Sequence, residues 1–306
     1  AIGPENQRDQ SDADTLKDRI VRTKIDGKIY DIVSDDNYLE HVKGEFEPDM
    51  VVLFKSLIQP SDTILDIGAN IGCTSMLFGH LGKKVYSFEP SPSTYRYLER
   101  NVKSANLENV VPVNVGLGKE SGTFELTFSP SDRSGGFVSN LICATQGHSV
   151  EKITISKGDA FVEEHDLPKI DFIKIDVEGF EKSVIEGLSA TIARDRPIVA
   201  LELNHWCLNA FQRISVPDFF DFLRSVFPYL YAVDMRYVNN LTDKFRRKFL
   251  PSLHNLKDVK NLHDLNASYH VMHRHILHGF SYPTIVGAFD EKQLEKFASM
   301  PGIHVS

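Results

Sequence analysis

Asp66, Gly68, Asn70 and Gly72 close an apolar run in the stretch Ile64-Leu65-Asp66-Ile67-Gly68-Ala69-Asn70-Ile71-Gly72. Glycines at such a turn let the backbone come close to a ligand, and a helix beginning there offers free N–H groups. A carboxylate just before the first glycine would repel a pyrophosphate, but would attract an ammonium or accept bonds from amides. The dinucleotide pattern Gly-x-Gly-x-x-Gly is incomplete, because Asn70 stands at its second glycine and Cys73 at its third. These substitutions shift the expected ligand from a dinucleotide to S-adenosylmethionine, with Asp66 and the 68–72 backbone on its methionyl part.

Further polar residues follow the ends of other apolar runs. Glu89 ends the run 84–88 at a spacing suited to gripping a ribose diol. Asn114 and Gly116 lie at the end of the run 110–115, where an adenine is expected. The stretch Ile173-Lys174-Ile175-Asp176-Val177-Glu178-Gly179-Phe180-Glu181 puts one lysine and three acids around another strand end. By strand alternation Lys174 and Asp176 share a sheet face, as do Glu202 and Asn204. A Lys174–Glu202 or a Lys174–Asp176 pair would neutralise the buried charge. Asp176 is the first candidate to take a proton from an acceptor hydroxyl or to contact the cofactor. Glu202 and His205 stand beside it as further catalytic candidates, with plain packing as the other reading of His205. A divalent cation on Asp176, Glu202 and Asn204 is the alternative, since it would lower the pKa of the acceptor oxygen. Glu178 and Glu181 suit the start of the next helix.

The elements that must position these residues alternate. Strands are expected at 63–67, 84–88, 110–115, 170–176, 197–203 and 229–234, with helices at 47–58, 73–81, 180–193 and 216–227 and another after residue 90. That rhythm is α/β, a mostly parallel sheet with helices on both faces. Ligands then bind beyond the carboxyl ends of the strands. Three β-like runs at 123–128, 137–142 and 151–156 break the rhythm as an antiparallel insertion spanning 119–157. Its stretch 129–149 reads as a lid, with Arg133 and His148 available to an acceptor. Residues 1–15 are expected to be a mobile polar tail and 16–48 a hairpin cap turning at Asp26-Gly27. The catalytic domain would cover 49–239, and 240–306 would be a C-terminal extension with helices near 270–278 and 290–299.

The turn at 66–72, Phe88-Glu89-Pro90, the Lys174–Glu181 stretch and Ala200-Leu201-Glu202-Leu203 together resemble the FkbM family of S-adenosylmethionine-dependent methyltransferases. The resemblance covers roughly residues 50–205. It implies a class I methyltransferase (Rossmann-like) sheet, usually of seven strands, and O-methylation of a hydroxyl on a sugar or natural product. It also implies that such a domain can be fused to others, so the chain is expected to be part of a longer multidomain protein.

Composition narrows the partners. With 34 Lys+Arg against 42 Asp+Glu, net charge −8, a broad nucleic-acid surface is not expected. The basic run at 244–248 reads as a solvated face. No apolar run is long enough to span a membrane. Three dispersed cysteines, without a Cys-x-x-Cys pair, suggest a reducing, cytoplasmic setting, and Cys73 reads as a packing residue. The histidines at 270, 273, 275 and 278, with His254 and His263 nearby, make a zinc site conceivable, but without a cysteine or a His-Glu-x-x-His pattern they read as an exposed helix face. The expected partner is a small-molecule or glycan acceptor. Two rival functions remain, a nicotinamide-dependent dehydrogenase and a catalytically silent cofactor-binding domain.

Overall fold

The computed structural model describes residues 18–139, 147–234, 257–273, 282–300 and 303–305. Its strands are β1 (Arg19–Ile25), β2 (Lys28–Ser34), β3 (Gly44–Glu45), β4 (Thr63–Ile67), β5 (Lys84–Phe88), β6 (Val110–Val113), β7 (Gly116–Gly118), β8 (Gly122–Ser129), β9 (Asp132–Val138), β10 (Ser149–Lys157), β11 (Phe172–Ile175), β12 (Ile198–Glu202), β13 (Tyr229–Asp234), β14 (Lys257–Asn261), β15 (Thr284–Ala288) and β16 (Ile303–Val305). Its α-helices are α1 (Tyr38–Val42), α2 (Pro48–Leu57), α3 (Cys73–Leu81), α4 (Pro92–Ser104), α5 (Gly158–Glu164), α6 (Glu181–Gly187), α7 (Ser189–Asp195), α8 (His205–Gln212), α9 (Val216–Val226), α10 (Leu265–Val271) and α11 (Glu295–Ala298).

Nine strands make the central sheet in the order β16-β14-β13-β15-β12-β11-β4-β5-β6. The run from β6 to β12 is parallel, and β15 enters antiparallel between β12 and β13. All five residues of β4 are buried, as expected of an inner parallel strand covered on both faces. One apolar core lies under α2, α3 and α4, with Phe54, Phe78 and Phe172 edge to face. The other lies under α6 to α9, around Val184, Ile192, Leu208, Phe219 and Leu223. Parallel strands end on the same side, so the carboxyl ends of β4, β5, β11 and β12 form one rim.

Two additions stand over that rim. The insertion is a four-stranded sheet, β7-β10-β8-β9, and the N-terminal cap is β2-β1-β3 with α1. They are clasped together. Arg133 of β9 is ion-paired with Asp35 and Asp36 just after β2, and Asn37 N–H donates to the Ser131 carbonyl at 2.7 Å. Glu151 of β10 caps the start of α4 by accepting from Ser91 Oγ at 2.5 Å and Ser93 N–H at 3.1 Å.

Several elements differ from the sequence reading. The second of the three β-like runs is β9, an edge strand of the insertion that starts at Asp132 and ends at Val138; residues 140–146 lie outside the described ones. The segment from 240 onward returns to the central sheet through β14, β15 and β16. Of the helix read near 270–278, residues 274–278 lie outside the described ones; α10 starts earlier, at Leu265, where the Asp264 side chain caps it by accepting from Asn266 N–H. His270 and His273 are exposed and His263 Nε2–H donates to the Phe227 carbonyl at 2.8 Å, while His254, His275 and His278 lie outside the described residues, as do residues 1–15 and the basic run 244–248. Among the described residues no helix is long and apolar enough to cross a membrane.

Candidate active site

A cavity of about 770 Å³ opens at the strand rim, between the sheet, the insertion and the cap. This lies within the range of small-molecule and cofactor sites. Its floor begins at the turn after β4. Gly68 holds φ +81° and Gly72 holds φ +98°. A Cβ on Gly68 would sit 1.8 Å from the Asp176 carbonyl oxygen, so only glycine lets the turn lie against the end of β11. Gly68 N–H and Ala69 N–H both donate to the Phe88 carbonyl at 3.0 Å, which ties the turn to β5.

Glu89, at the end of β5, is buried and lines the cavity. Its two oxygens each accept one backbone hydrogen bond at 3.0 Å, from Asn70 N–H and from Ser91 N–H. Burial pushes its carboxyl up to about 7, against the lowering effect of those two bonds. Asn70, in the left-handed region at φ +48°, also lines the cavity. Gly116 lines it beside Pro90, Leu117 and Ile155.

Three residues expected against the cofactor stand elsewhere. Gly72 is outside the lining, where a Cβ on it would meet Leu98 at 2.9 Å. Asp66 has no exposure and lies behind the cavity wall. Its Oδ2 accepts from Ser75 Oγ at 2.6 Å, and its Oδ1 lies 3.6 Å from Lys174 Nζ. Strand register causes this, since Asp66 of β4 is paired directly with Lys174 of β11, and paired residues project from the same face. A direct grip of Asp66 on an ammonium of the cofactor is therefore replaced by an internal ion pair. Asn114 is exposed and outside the lining; its amide donates to the carbonyls of Glu89 and Pro90 at 2.9 and 3.1 Å and so holds the loop that carries Glu89.

Beyond β11 and β12 the cavity turns acidic. One oxygen each from Asp176, Glu178 and Glu202 lie within 4.8 Å of one another. Lys174 pairs with Asp176 at 3.2 Å, one of the two pairings expected. It faces Ala200 across β12, two residues short of Glu202. Burial, then the nearby Asp176, raises the pKa of both Glu178 and Glu202. The oxygen cluster brings Glu178 to the expected Asp176 and Glu202, and Asn204 lines the cavity beside them, hydrogen-bonded to Glu178. The Asn204 Oδ1 caps α8 by accepting from Cys207 N–H at 3.1 Å, and its Nδ2 donates to Glu178 at 2.7 Å. Glu178 is turned into the cavity by a left-handed backbone at φ +49°. Glu181 is buried behind it, accepts from Gly179 N–H at 3.1 Å, and has its carboxyl pushed up to about 8 by burial. All three oxygen donors suit a hard cation.

His205 is half-buried, does not line the cavity, and packs its ring 5.6 Å from that of Tyr282. That is the packing alternative for this residue. Arg133 lines the cavity with its Nη2 ion-paired to Asp35 and Asp36 and its buried Nε without a hydrogen-bond partner, and His148 is exposed and outside the lining. The cavity also takes Tyr38 and Glu47 from the cap and Tyr282 and Thr284 from the start of β15. Sequence reading missed all four, since no local spacing links them to the strand ends.

Residues 66–237, more than half of the 306, match the family model of the methyltransferase FkbM domain. The chain belongs to the FkbM methyltransferase family. The sheet described above, with its antiparallel β15 between β12 and β13, is the class I methyltransferase (Rossmann-like) arrangement expected of this family. Among curated relatives, the chain is 34% identical over 143 residues to the hexuronic acid methyltransferase AglP of Haloferax volcanii, a stretch covering 47% of this chain and 56% of that one. It is 27% identical over 174 residues to the 31-O-demethyl-FK506 methyltransferase FkbM of Streptomyces tacrolimicus, covering 47% and 66%. The chain thus spans a little over half the length of the first relative and just under two thirds of the second. Among solved structures it is similar to a methyltransferase FkbM from Methylobacillus flagellatus, at 19% identity, 58% and 44% coverage and a TM-score of 0.41.

Proposed function

We propose that this chain binds S-adenosylmethionine and methylates a hydroxyl of a sugar or natural product. The observation that carries the reading is the Glu89 carboxylate, buried at the cavity wall and fixed by the N–H groups of Asn70 and Ser91. A carboxylate so held keeps lone pairs for a ribose diol. The turn residues Gly68, Ala69, Asn70 and Ile71 line the cavity and present their backbone to the methionyl part. The apolar patch of Pro90, Leu117 and Ile155 around Gly116 suits an adenine. The residues present therefore fit the cofactor.

Bound there, the cofactor would supply an activated methyl group together with its own leaving group. The chain's part is to place an acceptor hydroxyl and take its proton. Asp176 serves as the proton acceptor, because it faces the cavity and is ion-paired with Lys174. Glu202, whose raised pKa favours the protonated form, orients the acceptor oxygen by donating to it. His205 is turned towards Tyr282 and takes no proton. The hydroxylated-acceptor class is supported by the names of the two relatives, one acting on a hexuronic acid and the other on 31-O-demethyl-FK506. The cap and insertion, which roof the cavity, select the acceptor.

The oxygen cluster of Asp176, Glu178 and Glu202 favours a second reading of the acceptor side, in which a divalent cation binds there and polarises the hydroxyl. A cytoplasmic setting is in keeping with the two buried free thiols, Cys73 and Cys207. Calorimetric titration with S-adenosylhomocysteine, followed by a mass-spectrometric screen of hydroxylated acceptors with S-adenosylmethionine, tests the proposal. Binding with transfer to an acceptor hydroxyl is expected; methyl transfer to an amine or carbon in place of oxygen would refute the O-methylation part.

A further inference from the structure

Lys174 has a side chain only 11% exposed, and three groups share its ammonium. Nζ donates to the Gly68 carbonyl at 3.0 Å, lies 3.2 Å from Asp176 Oδ2 and lies 3.6 Å from Asp66 Oδ1. The partners come from three different pieces: the strand β4, the glycine turn and the exit of β11. Burial alone would lower the pKa of the ammonium, but Asp176 and Asp66 outweigh it and the net shift is upward. The Lys174 charge is also what compensates Asp66, whose buried Oδ1 has no hydrogen-bond partner.

The carbonyl that Lys174 holds belongs to the residue the turn most constrains. Gly68 is left-handed, and its Cα side is pressed on the Asp176 carbonyl. Asp176 N–H donates in turn to the Ile67 carbonyl at 3.0 Å. The turn and the β11 exit are therefore in backbone contact on two sides, and the ammonium closes the third.

We propose that Lys174 is a positioning residue for the cofactor. It locks the Gly68 turn and the Asp176 carboxylate into one wall, so that the methyl-donor side and the proton-accepting side of the cavity keep a fixed separation. This rests on the reading of the cavity as an S-adenosylmethionine site. Lys174 itself need touch neither substrate. It acts through the carbonyl of one residue and the carboxylate of another, which is why its loss should be felt in cofactor affinity and not in stability alone.

The test is calorimetric titration of S-adenosylhomocysteine into the wild type, Lys174→Met and Lys174→Gln, with thermal melts of each. Loss of a charged hydrogen bond should weaken Lys174→Met binding by roughly 10- to 100-fold. Lys174→Gln, which can still donate to the Gly68 carbonyl, should recover part of that loss even if its melting temperature is no higher. If Lys174→Met does not fold because Asp66 is stranded, the double variant Asp66→Asn/Lys174→Met carries the same comparison. A folded variant lacking Lys174 that binds with wild-type affinity would overturn the positioning role. Absence of binding by the wild type would instead overturn the cofactor reading on which it stands.

Discussion

The Asn70 N–H donates to Glu89 Oε2 at 3.0 Å, and this bond joins the left-handed turn after β4 to the acid that ends β5. It is a coupling across two strands. The turn orients the carboxylate, and the carboxylate satisfies an N–H that the turn would otherwise leave open. A ligand that engages one engages the other.

Glu89→Ala should therefore do more than remove one contact. S-adenosylhomocysteine affinity is expected to fall by roughly 10- to 100-fold, in line with loss of hydrogen bonds to a charged group. Calorimetry reads this directly, and unchanged affinity would rule out the ribose assignment.

Gly68→Ala and Gly27→Ala make a matched pair. Both glycines have φ near +80°, but nothing lies within 4 Å of a Cβ on Gly27, whereas one on Gly68 meets the Asp176 carbonyl. Gly27→Ala should cost only left-handed backbone strain, about 1 kcal/mol. Gly68→Ala should cost several times as much and abolish cofactor binding. Equal urea midpoints for the two variants would show that the turn does not pack as described.

Arg133 holds Asp35 and Asp36 together in a site where its side chain is 7% exposed. Arg133→Met should destabilise the protein by about 3 kcal/mol, because buried Asp36 loses the cation beside it while Asp35 keeps Arg96 at 2.8 Å. The triple variant Asp35→Asn/Asp36→Asn/Arg133→Met should regain a large part of that in denaturant unfolding. If the triple variant is no better than Arg133→Met, stranded charge is not the cause.

Glu181 gives a signed pH effect. Its folded pKa, about 8, lies above its ordinary value of 4.5. Between those values the folded state binds more protons than the unfolded one, so this group's contribution to stability falls as pH rises. Below that window the penalty is absent. Glu181→Gln should therefore gain on the wild type as pH goes from about 5 to about 8, by at most about 1.4 kcal/mol per pH unit. A constant difference between the two unfolding curves across that range would contradict the shift.

The divalent-cation reading is tested by melting the protein with magnesium, manganese or calcium. Binding only to the folded state raises the melting temperature in proportion to the logarithm of cation concentration. Glu202→Gln should remove the rise. No shift with any of the three cations would eliminate this reading of Asp176, Glu178 and Glu202.

What the sequence made legible was what local spacing dictates. The turn after β4 and the place of Glu89 at the cavity wall could be read because both follow from where an apolar run stops. Asp66 was misread because its role depends on which residue of β11 stands opposite it, and register is a property of the paired strands. Glu178 was not read into the oxygen cluster because it enters through a left-handed backbone at φ +49°, which no strand or helix periodicity signals. Tyr38, Glu47 and Tyr282 reach the cavity from segments far away in the chain. The seventh strand, β15, was passed over because Thr284–Ala288 is a short apolar run inside a polar stretch, and its burial comes only from β12 and β13 on either side.

The most direct measurement is a pair of calorimetric titrations on one preparation of the protein, S-adenosylhomocysteine in one cell and NAD in the other. Saturable binding of S-adenosylhomocysteine with no heat from NAD is expected from an incomplete glycine pattern backed by Glu89 and the Gly68 turn. Binding of NAD with none of S-adenosylhomocysteine would contradict the account at its centre.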